Sequence, residues 1–238
     1  MSSIKLTVLG CYGPFPPIGG ATSGYLLELN SQNTQKKFLL DCGSGVLAKL
    51  QQYISPNSLD GIIVTHMHYD HCSDLGVLSY ALSFMPGPAL PLLAPCEAGL
   101  YGDVFTYQRL NETSCLKDED FCITFFPTQH PVECYGIRIE SKGKTLIYTA
   151  DTVQTPRLSA DCCGADAILA DGNFVTKLNP TAKGPHMTVT QCAEIARNAQ
   201  AKQLYVTHLS PQVPLELYKE EALSCGATVV QPDMTIEL

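Results

Sequence analysis

At 238 residues, with 45% hydrophobic and 16% charged residues, the chain has the composition of an ordinary soluble globular protein and room for one sizeable domain. Its net charge of -8, from 15 basic and 23 acidic residues, and the lack of any basic run argue against a broad nucleic-acid footprint, which needs clustered Lys and Arg to neutralise phosphates. A small substrate is favoured. No stretch of about 18 apolar residues occurs, so no membrane span is expected.

The N-terminal "MSSIKLTVLGCYG" reads as a first strand rather than a signal peptide, which points to a cytoplasmic protein. Without a secretion signal, the 11 scattered cysteines, with no C-x-x-C pair, are expected to be reduced and buried. No repeat or linker divides the chain, so a single domain over 1–238 is expected.

Strand-like runs come first: "IKLTVLG" (Ile4–Gly10), "GYLLEL" (Gly24–Leu29) and "KFLLD" (Lys37–Asp41). A Gly/Pro-rich loop, Cys11–Ser23, joins the first two and could bring backbone N–H groups to a ligand or simply connect strands. "GSGVLAKLQQY" has helical spacing, with Val46, Leu47 and Leu50 on one face. "GIIVTH" is a buried strand, and Ser73 can cap a helix running to Phe84. "LPLLAP" is a short strand, and an amphipathic helix is expected from Cys96 to Arg109. Strands follow at Phe121–Pro127, Cys134–Glu140, Lys144–Asp151 and Gly164–Asp171. "TVTQCAEIARNAQ" is a helix capped by Thr188, and "KQLYVTH" (Lys202–His208) a strand. The helix "LELYKEEALSCG" ends at Gly226, with a last hairpin to Leu238. Early strands and later strand/helix alternation describe a sheet-rich α/β layer protein.

One pattern recurs. An apolar strand runs out, and a His or Asp stands at its C-terminal edge: His66 after "GIIVT", His130 after "ITFFPTQ", Asp151 after "TLIYTA" and His208 after "QLYVT". Ligands gather where strands end in layered α/β folds. One such histidine is unremarkable. Stacking His66, His68, Asp70, His71, His130, Asp151 and His208 in this context without a cation would be costly. Imidazole with carboxylate suits zinc, and also iron or manganese. Seven ligands exceed one tetrahedral shell, which implies two metals.

"HMHYDH" (His66–His71) resembles the H-x-H-x-D-H signature of the metallo-β-lactamase-fold hydrolases, and the resemblance covers essentially the whole chain. "LLDCGSG" (Leu39–Gly45) is similar to that family's first motif, with Asp41 orienting a histidine turn. The resemblance implies a four-layer αββα sandwich with a dimetal site at one edge of its sheets. It implies His66, His68 and His130 on one metal, Asp70, His71 and His208 on the other, and Asp151 bridging.

"GPHMTVTQCAEIARNAQAKQLYVTHLSP" (Gly184–Pro211) is similar to a segment of the ribonuclease Z branch and its phosphodiesterase relatives, in which the extra histidine, here His186, faces the scissile phosphate. Asp171 stands where that branch has a glutamate, and would hold His186 in the right tautomer on an arm one methylene shorter. Two departures argue against tRNA. The short interval from His130 to Asp151 is filled by two strands, where ribonuclease Z inserts its tRNA-clamping arm, and "THLSPQV" lacks the Arg that often follows the last histidine. The short interval is closer to small cyclic-phosphodiesterase relatives. Some of these carry a cysteine-rich structural zinc site near the N-terminus. Only Cys11 is found in that region, so no third metal is expected.

The expected reaction is hydrolysis of a small or cyclic phosphodiester. The metals would activate water, Asp70 would accept or position its proton, and His186, backed by Asp171, would protonate the leaving alkoxide. A thioester or lactone hydrolase on the same dimetal core is the alternative; it leaves His186 without a task. A non-catalytic metal-binding sensor comes third. Loops Cys11–Ser23 and Phe84–Arg109 would set the substrate, and family members are often homodimers.

Overall fold

The apolar run Ile4–Gly10 forms the first strand, β1, as its branched and leucine side chains favour. In the computed structural model, which describes residues 3–30, 35–181 and 183–238, there follow β2 (Gly24–Asn30), β3 (Gln35–Leu40), α1 (Val46–Leu50), β4 (Gly61–Ile63), α2 (Tyr69–Cys72), α3 (Leu75–Leu82), β5 (Leu90–Ala94) and β6 (Phe105–Arg109). Next come β7 (Cys115–Lys117), β8 (Phe121–Pro127), β9 (Tyr135–Ser141), β10 (Lys144–Tyr148), α4 (Pro156–Asp161) and β11 (Ala167–Asp171). The chain closes with α5 (Val189–Asn198), β12 (Gln203–Thr207), α6 (Leu215–Cys225), β13 (Thr228–Val229) and β14 (Thr235–Glu237). By internal contacts it divides into two compact units, Met1–Leu110 with Gln231–Glu237, and Asn111–Val230 with Leu238.

The first unit holds a mixed sheet in the order β14-β1-β2-β3-β4-β5-β6. Its β14, β1, β2 and β3 pair antiparallel, and β3 to β6 pair parallel. Parallel strands buried on both faces read as unbroken apolar runs, and Ile62, Leu92 and Leu39 are accordingly sealed in a core with Val46, Leu50, Leu75 and Leu78 from the helices. Gly43 lies in the turn between β3 and α1. A Cβ on it would overlap the Asp70 carbonyl oxygen and the Thr22 hydroxyl. Gly43→Ala is therefore expected to cost about 1–3 kcal/mol, the usual range for overpacking against atoms that cannot rotate away. Urea unfolding measures that cost, and metal content should fall with it, because the displaced backbone carries Asp70.

The second unit repeats the plan, in the order β13-β12-β11-β10-β9-β8-β7. Its β7 to β10 pair antiparallel, and β10 to β13 parallel. Thr188 caps α5 and Gln191 returns the bond, a full capping box. Gly226 ends α6 in the left-handed conformation that a glycine adopts without strain.

Several expectations change. The helix expected from Cys96 to Arg109 is absent; Phe105–Arg109 is β6, paired with β5. Gly99 and the left-handed Gly102 interrupt helical continuity, and Val104, Phe105, Thr106 and Tyr107 are strand-favouring residues. Ser73 does not start a helix: it is the C-cap residue of α2, which starts at Tyr69 with His68 as its N-cap. Asp74 precedes α3. The helix after Gly45 spans only Val46–Leu50. The last hairpin is not formed: β13 pairs with β12, and β14 with β1, in different sheets. The short β7 and α4 had no clear periodicity to betray them. Cys96, Cys115 and Cys163 are exposed, where burial was expected. No helix among the described residues is long and apolar enough to cross a membrane.

Candidate metal centre

In the first unit, β4 ends at Ile63 and its continuation carries the histidine cluster. Asp41 follows β3 on a left-handed backbone, with φ 57°. Its carboxylate is fully buried. Oδ1 accepts from Thr65 N at 2.8 Å and Thr65 Oγ1 at 3.0 Å, and Oδ2 pairs with His71 Nδ1 at 2.8 Å. The Thr65 hydroxyl also lies 3.1 Å from His66 Nδ1. With a proton on His71 Nδ1 directed at Asp41, the Nε2 lone pair becomes the coordinating position, 3.8 Å from Asp70 Oδ2. His66 Nε2 stands 3.1 Å from His68 Nδ1. The single turn of α2 places Asp70 and His71 inward and leaves Tyr69 exposed. Cys72 is buried, its Sγ 3.6 Å from the Met67 carbonyl, and burial pushes its thiol up to about 11. Asp41→Asn keeps the shape but cannot serve as a charged acceptor to both Thr65 and His71. It should weaken metal binding about 10–100-fold, read by competition with a chromogenic chelator.

In the second unit, four strand ends or their loops converge. Asp151 Oδ2 lies 3.5 Å from His208 Nε2, 3.9 Å from His130 Nε2 and 3.9 Å from His186 Nδ1. Asp171, the last residue of β11, pairs its Oδ2 with His186 Nδ1 at 2.8 Å and accepts there from Thr152 N at 3.0 Å. Its Oδ1 lies 3.5 Å from His208 Nδ1. The shorter arm of an aspartate thus reaches His186. Burial opposes charge on both partners, but their pairing prevails, holding His186 above and Asp171 below their ordinary ranges. Phe174 packs edge-on against the His186 ring, with centroids 5.7 Å apart.

Two ligand atoms each about 2.0–2.1 Å from one ion at a tetrahedral angle stand about 3.3 Å apart. The pairs His71–Asp70, His66–His68 and His208–Asp151, at 3.8, 3.1 and 3.5 Å, lie close to that separation. In the second unit, Asp151, Asp171, His186 and His208 offer ligand atoms that all lie within 4.8 Å of one another. Nitrogen and carboxylate oxygen donors at these spacings suit divalent-cation ligation.

Sequence reasoning passed over two side chains and two backbone conformations. Thr65, adjoining the motif, ties Asp41 to His66. Asn173 Nδ2 donates to the His208 carbonyl at 2.8 Å. Ala150 and His208 have φ of 52° and 59°, values that cost a non-glycine residue energy and that cluster at functional sites. Only Thr65 had a signal, its place beside the cluster.

A seven-stranded mixed sheet in each unit, with His and Asp at the strand ends, defines a class, the metallo-hydrolases of the metallo-β-lactamase-type α/β sandwich. The family model for the beta-lactamase superfamily domain matches residues 36–209, and the chain belongs to that superfamily. It is 36% identical to the probable metallo-hydrolase YhfI of Bacillus subtilis, over 87% of each chain. The crystal structure of YhfI matches with a TM-score of 0.88 over 99% of both chains. Ribonuclease BN of Cronobacter sakazakii is 26% identical over 94% of this chain and 95% of its own. A diphosphatase of the PhnP family, 20% identical, shares the fold with a TM-score of 0.72 over 99% of this chain and 97% of that one.

Proposed function

We propose that the protein is a dinuclear metal-dependent phosphodiesterase acting on a small or cyclic phosphodiester, built as a single hydrolase domain over 1–238. The observation that carries this reading is the His186–Asp171 pair, 2.8 Å apart and beside Asp151. A half-buried imidazole with one nitrogen fixed on a carboxylate is a built proton donor, and an alkoxide leaving group needs one. The proposed ligands are His66, His68 and His130 for one ion, and Asp70, His71 and His208 for the other, with Asp151 shared. Zinc is the proposed metal, since a histidine-rich set with carboxylates suits it.

When bound, the ions supply a water of lowered pKa and neutralise charge on the phosphate oxygens. Asp70 accepts the proton of the attacking water. His186 donates from Nε2 to the leaving oxygen while Nδ1 stays on Asp171. Asp171, held by Thr152 N, keeps the imidazole from turning. The net charge of -8 supports a small substrate over tRNA. A homodimer is the proposed form, on the family resemblance, and the cytoplasm is the proposed location.

The test is metal analysis of protein purified without chelator, combined with a screen of cyclic nucleotides, short dialkyl and nitrophenyl phosphodiesters, a thioester and a lactone. Turnover of phosphodiesters with metal bound is expected. Turnover of only the thioester or lactone overturns the substrate class, and a loaded protein that hydrolyses none of them is a sensor.

A further inference from the structure

We propose that Glu221, on α6, is a positioning residue for His186; this rests on the proton-donor reading above. His186 lies in the segment between β11 and α5. Backbone bonds close the neck of that segment: Phe174 N donates to the Met187 carbonyl and Val189 N to the Phe174 carbonyl, each at 3.0 Å. Beyond the neck, one carboxylate grips both flanks. Glu221 Oε2 accepts from Thr176 N at 2.7 Å. Its Oε1 accepts from Thr176 Oγ1 at 2.6 Å, Thr190 N at 2.9 Å and Thr190 Oγ1 at 2.8 Å. Thr176 and Thr190 bracket the stretch that carries His186.

The chemistry of the grip requires a carboxylate. Four donors converge on two oxygens, and an ionised acceptor strengthens each bond. Thr190 is the second residue of α5, so its N–H has no carbonyl within the helix to satisfy it. Glu221 supplies that acceptor and puts negative charge at the positive end of the helix.

One turn earlier on α6, the buried Tyr218 hydroxyl accepts from Ser210 N at 3.0 Å and donates to the Asn173 carbonyl. Those residues lie two positions beyond His208 and Asp171. A single helix thereby ties down the segments that carry His186, Asp171 and His208. If Glu221 lets go, the segment samples positions in which His186 leaves Asp171, and turnover falls with the fraction of molecules still in register.

The test uses the full metal-loaded chain with Glu221→Gln and Glu221→Ala. Gln is isosteric but turns an N–H₂ towards groups that are already donors. For a dialkyl phosphodiester, kcat should fall about 10–100-fold, the cost of misplacing a catalytic group by around an ångström. KM, metal content and the rate on a nitrophenyl ester should not change.

A second readout needs no substrate. The proton on His186 Nδ1, shielded by its bond to Asp171, should give a slowly exchanging NMR resonance in the native protein that vanishes in both variants. Amide exchange at Thr176 and Thr190 should accelerate alongside. An unchanged resonance with unchanged alkyl-ester turnover overturns the proposal. So do equal losses on both esters accompanied by loss of metal, which would mark a general structural role. If the native protein hydrolyses no phosphodiester, the proposed function fails, while the resonance still decides the role of Glu221.

Discussion

Replacing His186 by Ala should lower kcat on dialkyl or sugar phosphodiesters by about 10²–10⁴-fold, the range that a positioned general acid contributes. That is about 3–5.5 kcal/mol of barrier. The same variant should turn over nitrophenyl phosphodiesters at nearly the native rate, because a nitrophenolate is stable enough to leave without a proton. Metal content should not change, since His71, His208 and the other proposed ligands remain. Asp171→Asn should reproduce the pattern, because an amide in place of the carboxylate that meets His186 Nδ1 at 2.8 Å permits the wrong tautomer. The double variant should be little worse than either single one, as residues acting as a unit lose their function once. Parallel losses on alkyl and nitrophenyl esters would assign His186 to the metals or to substrate binding and remove its leaving-group role.

Stripping the metal should abolish activity and lower thermal stability together. The second unit crowds Asp151 and Asp171, both buried, into one ligand cluster with His186 and His208. The first unit has Asp41 and Asp70 on either side of the His71 ring. Removing the cations leaves like charges desolvated near one another. A cation at about 1,000 times its Kd stabilises by about 4 kcal/mol, which corresponds to a shift in Tm of about 10 °C for a chain of this size. Dialysis against chelator followed by scanning calorimetry should show that fall, and zinc should restore both the melting temperature and the turnover. Full activity and an unchanged Tm in protein shown by mass spectrometry to be metal-free would refute the dinuclear reading.

How much of this was legible beforehand depends on the range of the interactions involved. β1 and β8 coincide with their expected spans, and β2, β11 and β12 differ from theirs by a few residues at most, because buried strands are continuous apolar runs whatever lies around them. The Thr188 cap and the helix end at Gly226 were equally visible, since caps are set by the residue present. The stretch Cys96–Arg109 was misread because its amphipathic spacing competes with a pairing partner, β5, that no local window contains.

For the candidate site, the sequence alone determined which His and Asp residues stand at the strand ends. His and Asp at successive strand ends are a property of order along the chain, and H-x-H-x-D-H concentrates donors within one turn. Of what holds them, only Asp41 and Asp171 were implied, and those by the family resemblance. Asp41 meets His71 across 30 positions, and Glu221 reaches Thr176 across 45. Asn173 finds the His208 carbonyl across 35. Those pairings exist only after parallel strands bring distant loops to the same end of a sheet. The left-handed backbones of Asp41, Ala150 and His208 likewise oppose local preference and persist because surrounding contacts outweigh their strain. The candidate ligands are therefore local and readable, whereas most of what orients and positions them arises from contacts distant in the chain, and the tertiary structure decided it.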